Sequence, residues 1–468
     1  MEVLQRTANR GSISTGGYDI DNSLKVESDN REYLRWTNFS TYASSARKKK
    51  FSMSLWCKRT ELGSQQIIWS TASNGYLSFE ADDEIKWYQT YSGVQKQLNT
   101  NRVFRDTSAW YNIIIAVDST QATEANRMRL YVNGVEETSF VTATYPSQND
   151  EAQNIYEQHL VLGEWGGGAS GFNGYIADYL FVSEVQLVPS DVGEVDEDSG
   201  IWKPKAYSGT ISSPSQFLEF QDGSDLGTAT SGLDADTMNN IAAADQATDT
   251  PTNNFQTFLS DGSIFNSGTN NITFSEGGTK FSKGSSTSWT TAYTNIAMTN
   301  GKWYMEFKNY STGDNTFFGL TPVARTTSSA AQDYYTGQAS DGSTGYYMNN
   351  GQIYWQGSSS GGVTSATGDI IGVAVDIDNN KAYWHKNGTY MNSADPAAGS
   401  NGSTINDEPY FFACSTYNGN TSGETNTGGY SSFAISSAAS DADGYGTFEY
   451  APPTSFFALC TKNLAEYG

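Results

Sequence analysis

The sequence predicts an all-β chain of two antiparallel jelly-roll sandwiches in tandem, with little helix. Short runs of β-forming residues recur between clusters of Gly, Asn, Asp and Ser, at the spacing typical of sandwiches. Two Asn-Gly pairs, Asn133-Gly134 and Asn387-Gly388, suit the type I′ turns that close β-hairpins. Helical periodicity is nearly absent, since its best stretch, Ile241 to Asp245, is too short for a helix of ordinary length.

The clearest predicted strands are short, apolar and bounded by turn residues. They are Phe51 to Lys58, Ile113 to Asp118, Arg129 to Val132, Trp303 to Phe307, Ile370 to Ile377 and Ala382 to His385. In each half of the chain an apolar strand ends in an aspartate, Asp118 or Asp376, and a later Tyr-bearing strand runs into Asn-Gly. This repetition predicts two domains of one architecture.

A stretch rich in Gly, Ala, Asp, Thr and Asn, and poor in aromatic residues, separates the two halves and predicts a linker. The predicted segments are an N-terminal attachment arm (residues 1–14), a first sandwich (15–221), a linker (222–262), a second sandwich (263–460) and a C-terminal tail (461–468).

Charge and residue counts exclude several classes of function. The 27 basic and 51 acidic residues leave a formal net charge of −24, which repels nucleic acid and anionic membranes. The sequence contains no run of about 18 apolar residues, which is the length that a membrane-spanning helix needs. The N-terminus lacks the apolar core of a secretory signal, so we expect synthesis in a cytoplasm without export by that route. Two histidines and three scattered cysteines leave little material for His-dependent hydrolysis or a disulfide framework.

Several predicted strands carry a resemblance to known families. The first half resembles a laminin G-like, concanavalin A-type domain in Asn22 to Val26, Phe51 to Arg59 and Phe172 to Glu184. The second half resembles a SPRY domain, in the order GKWYMEF, FFGL, GDIIGVAVDIDNNKAYWHKNG and GTFEYAPP. Both families are antiparallel jelly-roll sandwiches, and neither is defined by catalysis, so the resemblance implies binding or assembly.

The connecting segments resemble proteins of marine tailed bacteriophages. These segments are Trp202 to Thr210, Thr248 to Phe255 and Phe456 to Leu464. The resemblance implies a location on the virion surface, in a tail fibre, tail tip or capsid appendage. The implied partners are other virion proteins, further copies of the chain (a trimer, by analogy) and a glycan of the host cell surface.

One acidic string is the candidate metal site. Asp191, Glu194, Asp196 and Asp198 offer oxygen ligands of the kind that Ca²⁺ takes, and laminin G-like relatives often bind Ca²⁺ at loop ends. The polar, Gly-flanked context of the string favours a solvated acidic loop, with the Ca²⁺ site as the alternative. A retaining glycosidase needs two carboxyl groups about 5 Å apart facing a cleft. The string lacks the aromatic alternation of such a strand, so we predict no catalytic residue, no enzyme and no cofactor besides this Ca²⁺.

Loop aromatics are the candidate glycan contacts. Flat rings suit the C–H face of a sugar, while Asn, Asp and Gln suit its hydroxyl groups. Trp165 is the candidate in the first half. In the second half the candidates are Tyr334, Tyr346, Tyr347 and Trp355, in a Gly-, Ser- and Asp-rich cluster that also contains Tyr335. The alternative for each residue is packing within a core or on a sheet face.

These observations leave three functions open. The first is a non-enzymatic virion protein whose lectin-like sandwiches bind host-surface glycan. The second is a structural decoration or adaptor protein that binds only other virion proteins. The third is a polysaccharide depolymerase, which ranks last because no carboxylate pair is visible in the sequence.

Overall fold

The computed structural model describes residues 17–468 apart from a set of short segments. The segments outside the description are 38, 72–74, 154, 157–158, 166–169, 198, 259–271, 285–287, 309, 311–314, 328–334, 339–341 and 418–420. Residues 17–253 form one compact unit and residues 254–468 another, here called the first and second units. The predicted attachment arm, residues 1–14, lies outside the described residues.

In the part of the first unit that the structure describes, strands are joined by turns, one short α-helix and several 3₁₀ helices. Its strands are β1 (Ser23–Val26), β2 (Tyr33–Trp36), β3 (Lys50–Arg59), β4 (Gln66–Thr71), β5 (Gly75–Phe79), β6 (Glu84–Tyr91), β7 (Val94–Val103), β8 (Tyr111–Asp118), β9 (Met128–Val132), β10 (Val135–Glu136), β11 (Phe140–Thr144), β12 (Leu160–Leu162), β13 (Gly174–Ser183), β14 (Gly193–Val195), β15 (Trp202–Pro204), β16 (Gln216–Leu218), β17 (Ser231–Gly232), β18 (Thr237–Asn239) and β19 (Gln246–Ala247). Its helices are α1 (Ser45–Lys49) and the 3₁₀ helices Phe39–Tyr42, Glu124–Arg127, Pro189–Asp191 and Ala243–Asp245.

Two large antiparallel sheets form the sandwich of the first unit. Within the described residues, one sheet has the order β10-β9-β8-β3-β13-β1-β19, with β16 and β17 joined to it through β13. The other has the order β11-β7-β6-β5-β4-β12-β2-β18, and β14 and β15 form a separate hairpin. The inner faces bury one continuous core that includes Trp36, Trp69 and Trp87.

The second unit is also a two-sheet sandwich, with fewer strands among its described residues. Its strands are β20 (Ile272–Ser275), β21 (Lys280–Lys283), β22 (Thr290–Tyr293), β23 (Lys302–Lys308), β24 (Thr316–Pro322), β25 (Thr344–Tyr347), β26 (Gln352–Trp355), β27 (Ser358–Ser360), β28 (Ile370–Asp376), β29 (Lys381–Lys386), β30 (Thr389–Tyr390), β31 (Ser403–Thr404), β32 (Tyr410–Thr416), β33 (Thr421–Asn426) and β34 (Phe457–Ala458). Its helices are α2 (Thr461–Tyr467) and the 3₁₀ helices Val323–Thr327 and Met391–Ser393.

The two sheets of the second unit enclose a core of their own. Within its described residues, one sheet has the order β20-β21-β33-β23-β28-β29-β30, with β31 paired to β29 and β34 paired to β23. The other has the order β22-β32-β24-β25-β26-β27. The β23–β34 pairing is parallel, whereas the pairings along both sheet orders are antiparallel. The predicted all-β class and sandwich architecture are confirmed.

The continuous apolar run of β8 is explained by burial on both of its faces. Ile113 and Ile115 point into the main core, whereas Ile114 and Ala116 pack beneath the segment that carries Leu187. A strand covered on one face alternates apolar and polar residues, and a strand covered on both faces does not. β28 behaves in the same way in the second unit, where it faces two hydrophobic clusters.

The prediction of a linker over residues 222–262 is wrong for residues 222–253, because these residues are part of the first sandwich. β18 pairs with β2 and β19 pairs with β1. After these strands Asp249 accepts a hydrogen bond of 2.7 Å from Lys58 Nζ, with both side chains at most 1% exposed. Trp110 Nε1 donates to the same carboxylate at 3.2 Å. The segment is polar in composition and its strands are short, so it lacks the apolar runs that predict strands. Its polar side chains form hydrogen bonds inside the sandwich instead.

The prediction of a C-terminal tail over residues 461–468 is also wrong, since residues 461–467 form the helix α2. Leu464 is 3% exposed and belongs to the core of the second unit. The Tyr467 ring stacks on Phe457 with centroids 3.8 Å apart and planes 6° apart. The helix therefore covers one end of the core instead of extending into solvent.

The three cysteines are free thiols inside the sandwiches. Cys57, Cys414 and Cys460 are each 0% exposed. Burial raises the pKa of the Cys57 and Cys414 thiols above its ordinary value. Among the described residues, no helix has both the length and the apolarity needed to cross a bilayer.

Candidate functional site

An aromatic surface lies on the outer face of the eight-stranded sheet of the first unit. Because side chains alternate along a strand, Leu77 and Trp87 enter the core and Tyr76 and Tyr88 point outward. Tyr76 and Tyr88 are paired across β5 and β6, and their rings stack with centroids 4.9 Å apart and planes 28° apart. Trp165 meets Tyr76 edge-on at 5.3 Å. These three half-buried residues are called the aromatic ladder.

Polar groups surround the aromatic ladder. Lys86 Nζ lies 5.6 Å from the centre of the Tyr76 ring and 3.9 Å from Glu80 Oε2. The Tyr88 hydroxyl is 3.5 Å from the Thr90 hydroxyl, and Gln97 is the cross-strand partner of Tyr88 on β7. The ladder thus offers ring faces beside hydroxyl and amide groups, a combination suited to a polyhydroxylated ligand.

Glu164, the residue before Trp165, forms hydrogen bonds through both its backbone and its side chain. Ser70 Oγ donates a hydrogen bond of 2.7 Å to the Glu164 carbonyl oxygen. The Glu164 carboxylate, 3% exposed, accepts a hydrogen bond of 3.0 Å from Arg31 Nε. The Glu164 hydrogen bonds therefore fix the chain that leads into Trp165.

A larger aromatic cluster lies on the outer face of the six-stranded sheet of the second unit. Phe317 is at its centre, 1% exposed, with ring centroids 4.3 Å from Tyr347 and 5.0 Å from Tyr335. Tyr354 meets Phe317 edge-on at 5.4 Å, and Trp289 lies 5.4 Å from it. With Tyr417, which is 5.4 Å from Trp289, these residues are called the aromatic platform. All members except Phe317 are half-buried.

Strand register brings three of the platform rings together. Phe317 on β24 is the cross-strand partner of Tyr347 on β25, and Gly345 is the partner of Tyr354 on β26. A Cβ at Gly345 would lie 2.6 Å from Thr336 Oγ1 and 3.3 Å from Phe317 Cδ1. A residue with a side chain at 345 would therefore displace the segment that positions Tyr335.

Amide side chains form a rim beside the platform. The Tyr347 hydroxyl donates to Asn315 Oδ1, which also accepts from Asn349 Nδ2 at 3.3 Å. Asn350 Nδ2 donates to the Tyr354 hydroxyl at 3.0 Å. Burial, and then the neighbouring Tyr354 and Tyr335, raise the pKa of the Tyr347 hydroxyl, so this group stays neutral at physiological pH.

The structure separates the five aromatic residues predicted from sequence. Trp165 and Tyr347 lie on the ladder and the platform, respectively. Tyr346 is a correction: it is 0% exposed in the core, and its hydroxyl donates to the Val363 carbonyl oxygen. Trp355 is half-buried on the same side of β26 as the core residue Ile353, so it is not a platform residue. Tyr334 lies outside the described residues.

Sequence reasoning missed most of the residues that form these two surfaces. The residues outside the predicted set are Tyr76, Tyr88, Trp289, Phe317, Tyr354 and Tyr417, whereas Tyr335 belongs to the predicted loop cluster. A period-two count on each hairpin would have found part of this set, because it places Tyr347 opposite to Tyr346 and Tyr354 opposite to Trp355. Trp289 and Tyr417 reach the platform only through the tertiary fold, so no local pattern indicates them.

The predicted acidic string is engaged in turns and ion pairs. Asp191 accepts a hydrogen bond of 2.9 Å from the Val188 backbone N–H, and Asp196 accepts from Ser199. Lys203 Nζ lies 3.4 Å from both Glu194 Oε1 and Asp196 Oδ2. Asp198 lies outside the described residues. This arrangement favours the acidic-loop interpretation, and Ca²⁺ binding stays a prediction.

A carboxylate pair that the sequence analysis did not find lies in the first unit. The Tyr18 hydroxyl is 2.7 Å from Asp178 Oδ1 and 2.9 Å from Glu219 Oε1. Asp178 sits in a β-bulge of β13 with a positive φ of 51°. Burial raises the pKa of Asp178 to about 7. The tyrosine hydroxyl therefore occupies the space between the two carboxyl groups.

Comparison with known proteins shows similarities that cover parts of the chain. No curated protein matches the chain significantly. Among solved structures, a human SPRY domain is similar at 19% identity, covering 34% of this chain and 96% of that one, with a TM-score of 0.25. The SPRY domain of human HERC1 is similar at 16% identity, covering 31% and 87%, with a TM-score of 0.25. A heptameric SAP-like pentraxin from Limulus polyphemus is similar at 13% identity, covering 37% and 80%, with a TM-score of 0.26.

One family model matches the sequence directly. It describes the concanavalin A-like lectin/glucanases superfamily and matches residues 29–191. This range contains β2 to β13, and therefore the strands and the loop that carry the aromatic ladder. Residues 29–191 of the first unit are therefore similar in sequence to the concanavalin A-like superfamily, and the two-sheet sandwich agrees with that similarity.

Proposed function

We propose that the chain is a non-enzymatic glycan-binding protein of a bacteriophage virion. The observation that carries the proposal is the aromatic ladder on an outer sheet face of the concanavalin A-like domain. Large rings cluster where they are not needed for the sandwich core, since the main core lies behind Leu77 and Trp87. Partly exposed aromatic groups beside polar side chains are a usual mark of a binding surface.

The binding mode follows from the chemistry of the aromatic ladder. The stacked rings of Tyr76 and Tyr88 offer their surface to the C–H face of a pyranose. The Trp165 ring, edge-on to Tyr76, borders this surface on one side. The Tyr88 hydroxyl on β6 and the half-buried Gln97 amide on the neighbouring strand β7 supply partners for sugar hydroxyl groups. Neutral hydrogen bonds of this kind fix orientation, while ring contact supplies much of the affinity.

The carboxylate pair supports binding over hydrolysis. A glycosidase leaves room for substrate, or for water, between its two carboxyl groups. In this chain the Tyr18 hydroxyl fills that position between Asp178 and Glu219. We therefore propose no catalytic residue in the first unit.

The virion location rests on the resemblance of the connecting segments to phage proteins. We place the chain in a tail fibre, tail tip or capsid appendage, with other virion proteins and host-surface glycan as partners and a homotrimer as its assembly. Its net charge of −24 disfavours adhesion to the anionic bacterial surface through charge alone. Specific glycan contacts would then be needed for attachment.

The test is binding of the purified chain to an array of bacterial surface polysaccharides. We expect Trp165→Ala to weaken binding to the preferred glycan at least tenfold, which corresponds to about 1.4 kcal/mol. The matched control is Val141→Ala, at a position that is 57% exposed on edge strand β11 of the same sheet. It should bind like the unaltered chain.

Three results would count against the proposal. Equal binding by the Trp165 and Val141 variants would remove the aromatic ladder as the site. Release of new reducing ends from the bound glycan would contradict the non-enzymatic role. Failure of antibodies against the chain to label purified particles of the phage that encodes it, in electron micrographs, would contradict the virion location.

A further inference from the structure

The aromatic platform is a surface feature that the core of the second unit does not require. The core residues of the same strands are Phe318, Tyr346 and Ile353, all on the inner face. Phe317, Tyr347 and Tyr354 therefore add a second aromatic layer on the outer face. Only Phe317 in this layer is fully buried, because the other rings surround it and keep part of their own surface in solvent.

We infer that the aromatic platform is a second binding site, specific for uncharged sugar rings. The inference extends the proposed function to the second unit and rests on it for the ligand class. The residues that form the site are Trp289, Phe317, Tyr335, Tyr347, Tyr354 and Tyr417.

The backbone next to two of the outer rings, at Ser288, Thr416 and Tyr417, is hydrogen-bonded to one lysine side chain. Lys283 is 2% exposed, and its Nζ donates to the carbonyl oxygens of Thr416 at 3.0 Å and Tyr417 at 3.2 Å. The same ammonium group donates to the Ser288 carbonyl oxygen, next to Trp289. One buried lysine thus fixes the backbone beside both rings, which reduces the ordering cost of binding.

The polar rim indicates the charge of the ligand. The groups that contact the Tyr347 and Tyr354 hydroxyls are the amides of Asn315 and Asn350. Amides and phenols donate and accept without net charge, so they match sugar hydroxyl groups. An anionic sugar would gain no ion pair from these groups and would be repelled by a chain of net charge −24.

The experiment is isothermal titration calorimetry of the full chain with three hexasaccharides. Two are neutral, from agarose and from a β-glucan, and the third is a sulfated galactan of equal length. We expect one of the neutral probes to bind with two sites per chain. Tyr354→Ala should remove one site, or weaken it at least tenfold, while Trp165→Ala should remove the other. The sulfated probe should bind the platform at least tenfold more weakly.

Two variants separate loss of the site from loss of the fold. Asn350→Ala removes an exposed rim amide and no ring, and should weaken the platform site several-fold. Tyr310→Ala is the matched control, because Tyr310 is a tyrosine of the same unit, 42% exposed and outside the platform. It should keep both sites.

The outcomes distinguish this inference from the proposed function. A single site that Trp165→Ala removes, and that Tyr354→Ala and Asn350→Ala leave unchanged, would overturn the platform and keep the ladder. A single site with the opposite response would support the platform and overturn the ladder. Binding of no probe, with Tyr354→Ala altering self-association of the chain instead, would overturn the sugar site and assign the platform to contact between copies.

Discussion

Glu306 is a buried carboxylate at the centre of a polar network in the second unit. Its two oxygens accept hydrogen bonds from the Tyr304 hydroxyl, Asn426 Nδ2 and the backbone N–H groups of Glu449 and Tyr450, at 2.8 to 3.0 Å. Burial raises the pKa of Glu306 to about 7, and the four hydrogen bonds act in the opposite direction. The carboxyl group thereby ties the segment that follows Gly446 to β23.

His385 completes this network in its neutral form. Its Nδ1 accepts a hydrogen bond of 3.1 Å from the Gly388 N–H, so Nε2 carries the proton and faces the Tyr304 oxygen at 2.6 Å. Burial lowers the pKa of His385 to about 3. A Cβ at residue 372 would clash with His385 Nε2, and Gly372 therefore leaves the room that the imidazole needs. The structure gives this histidine a packing role.

The raised pKa of Glu306 predicts a pH dependence of stability. The folded state holds the proton up to about pH 7, while the unfolded chain releases it near the ordinary value of 4.5. The free energy of unfolding should therefore fall as pH rises from 4.5 to 7, by roughly 3 kcal/mol from this group. Denaturant titrations of the unaltered chain and of Glu306→Gln at a series of pH values measure it.

The Glu306→Gln variant isolates the contribution of this one group. It should be less stable at low pH, because its amide group faces two hydrogen-bond donors, each mismatch costing about 1–3 kcal/mol. It should also lose the slope between pH 4.5 and 7 that the carboxyl group causes. Parallel curves for the two proteins across that range would contradict the assignment.

At the scale of elements, the same cross-strand device occurs in both units. Lys50 pairs with Asp118 at 3.0 Å in the first unit, and Lys302 pairs with Asp376 at 2.9 Å in the second. In each case the lysine begins one strand and the aspartate ends its antiparallel neighbour. The aspartates also accept backbone N–H groups of the following turn, from Thr120 and from Asn379.

The Asn-Gly hairpins are a second shared device. Asn133 Oδ1 accepts a hydrogen bond of 2.8 Å from the Asn112 N–H, and Asn387 Oδ1 accepts one of 2.8 Å from the Ile370 N–H. Both asparagines and the glycines after them have positive φ, as a type I′ turn requires. The two hairpins therefore share one turn conformation and one side-chain hydrogen bond.

Sequence patterns predicted these elements well because their determinants are local. The six strands named from the sequence all occur, and their observed ends differ by at most two residues from the predicted ones. Short strands such as β18 and β19 were not predicted, because they depend on pairing with β2 and β1, more than 190 residues away in the chain. The buried Asp249 was read as part of a polar linker for the same reason.

The Asp249 ion pair predicts how much the returning segment contributes to the first unit. Asp249→Ala leaves the ammonium group of Lys58, which is 0% exposed, without this carboxylate. We expect a loss of about 3–5 kcal/mol in the free energy of unfolding of the first unit. Asp222→Ala, at an exposed turn of the same segment, should cost less than about 1 kcal/mol and serves as the control.

The outcome for Asp249 is measured by chemical denaturation followed through tryptophan fluorescence. A double substitution, Lys58→Met with Asp249→Leu, should recover much of the lost stability, because it replaces both charges with apolar groups. Equal stability of the Asp249 and Asp222 variants would show that the segment contributes little.

At the scale of the whole molecule, each unit has its own hydrophobic core. The main core of the first unit runs from Leu24 to Leu226, and that of the second from Phe258 to Leu464. A chain of residues 17–253 should therefore fold alone and give one cooperative transition in calorimetry. A chain of residues 17–221 should not, since it lacks β17 to β19 and Asp249. Cooperative folding of the shorter chain would contradict the assigned boundary.

The two candidate surfaces show where sequence reasoning reaches its end in this molecule. Composition and turn residues specify a sandwich, and the alternation of side chains specifies which residues point outward. The aromatic platform also needs Trp289 and Tyr417, which lie about 30 and 100 residues from Phe317 in sequence. The sheet order β22-β32-β24 brings Trp289 against Phe317 and Tyr417 against Trp289. Such a meeting is a property of the topology, and no spacing rule encodes it.

Because all three thiols are buried, we expect none of them to react with maleimides, iodoacetamide or mild oxidants while the chain is folded. Cys57, Cys414 and Cys460 have no exposed surface, and a protonated thiol is a poor nucleophile. A single cysteine introduced at an exposed position would then be the one reactive handle on the molecule. Fluorophores, spin labels or surface tethers can be attached there without first removing a native residue.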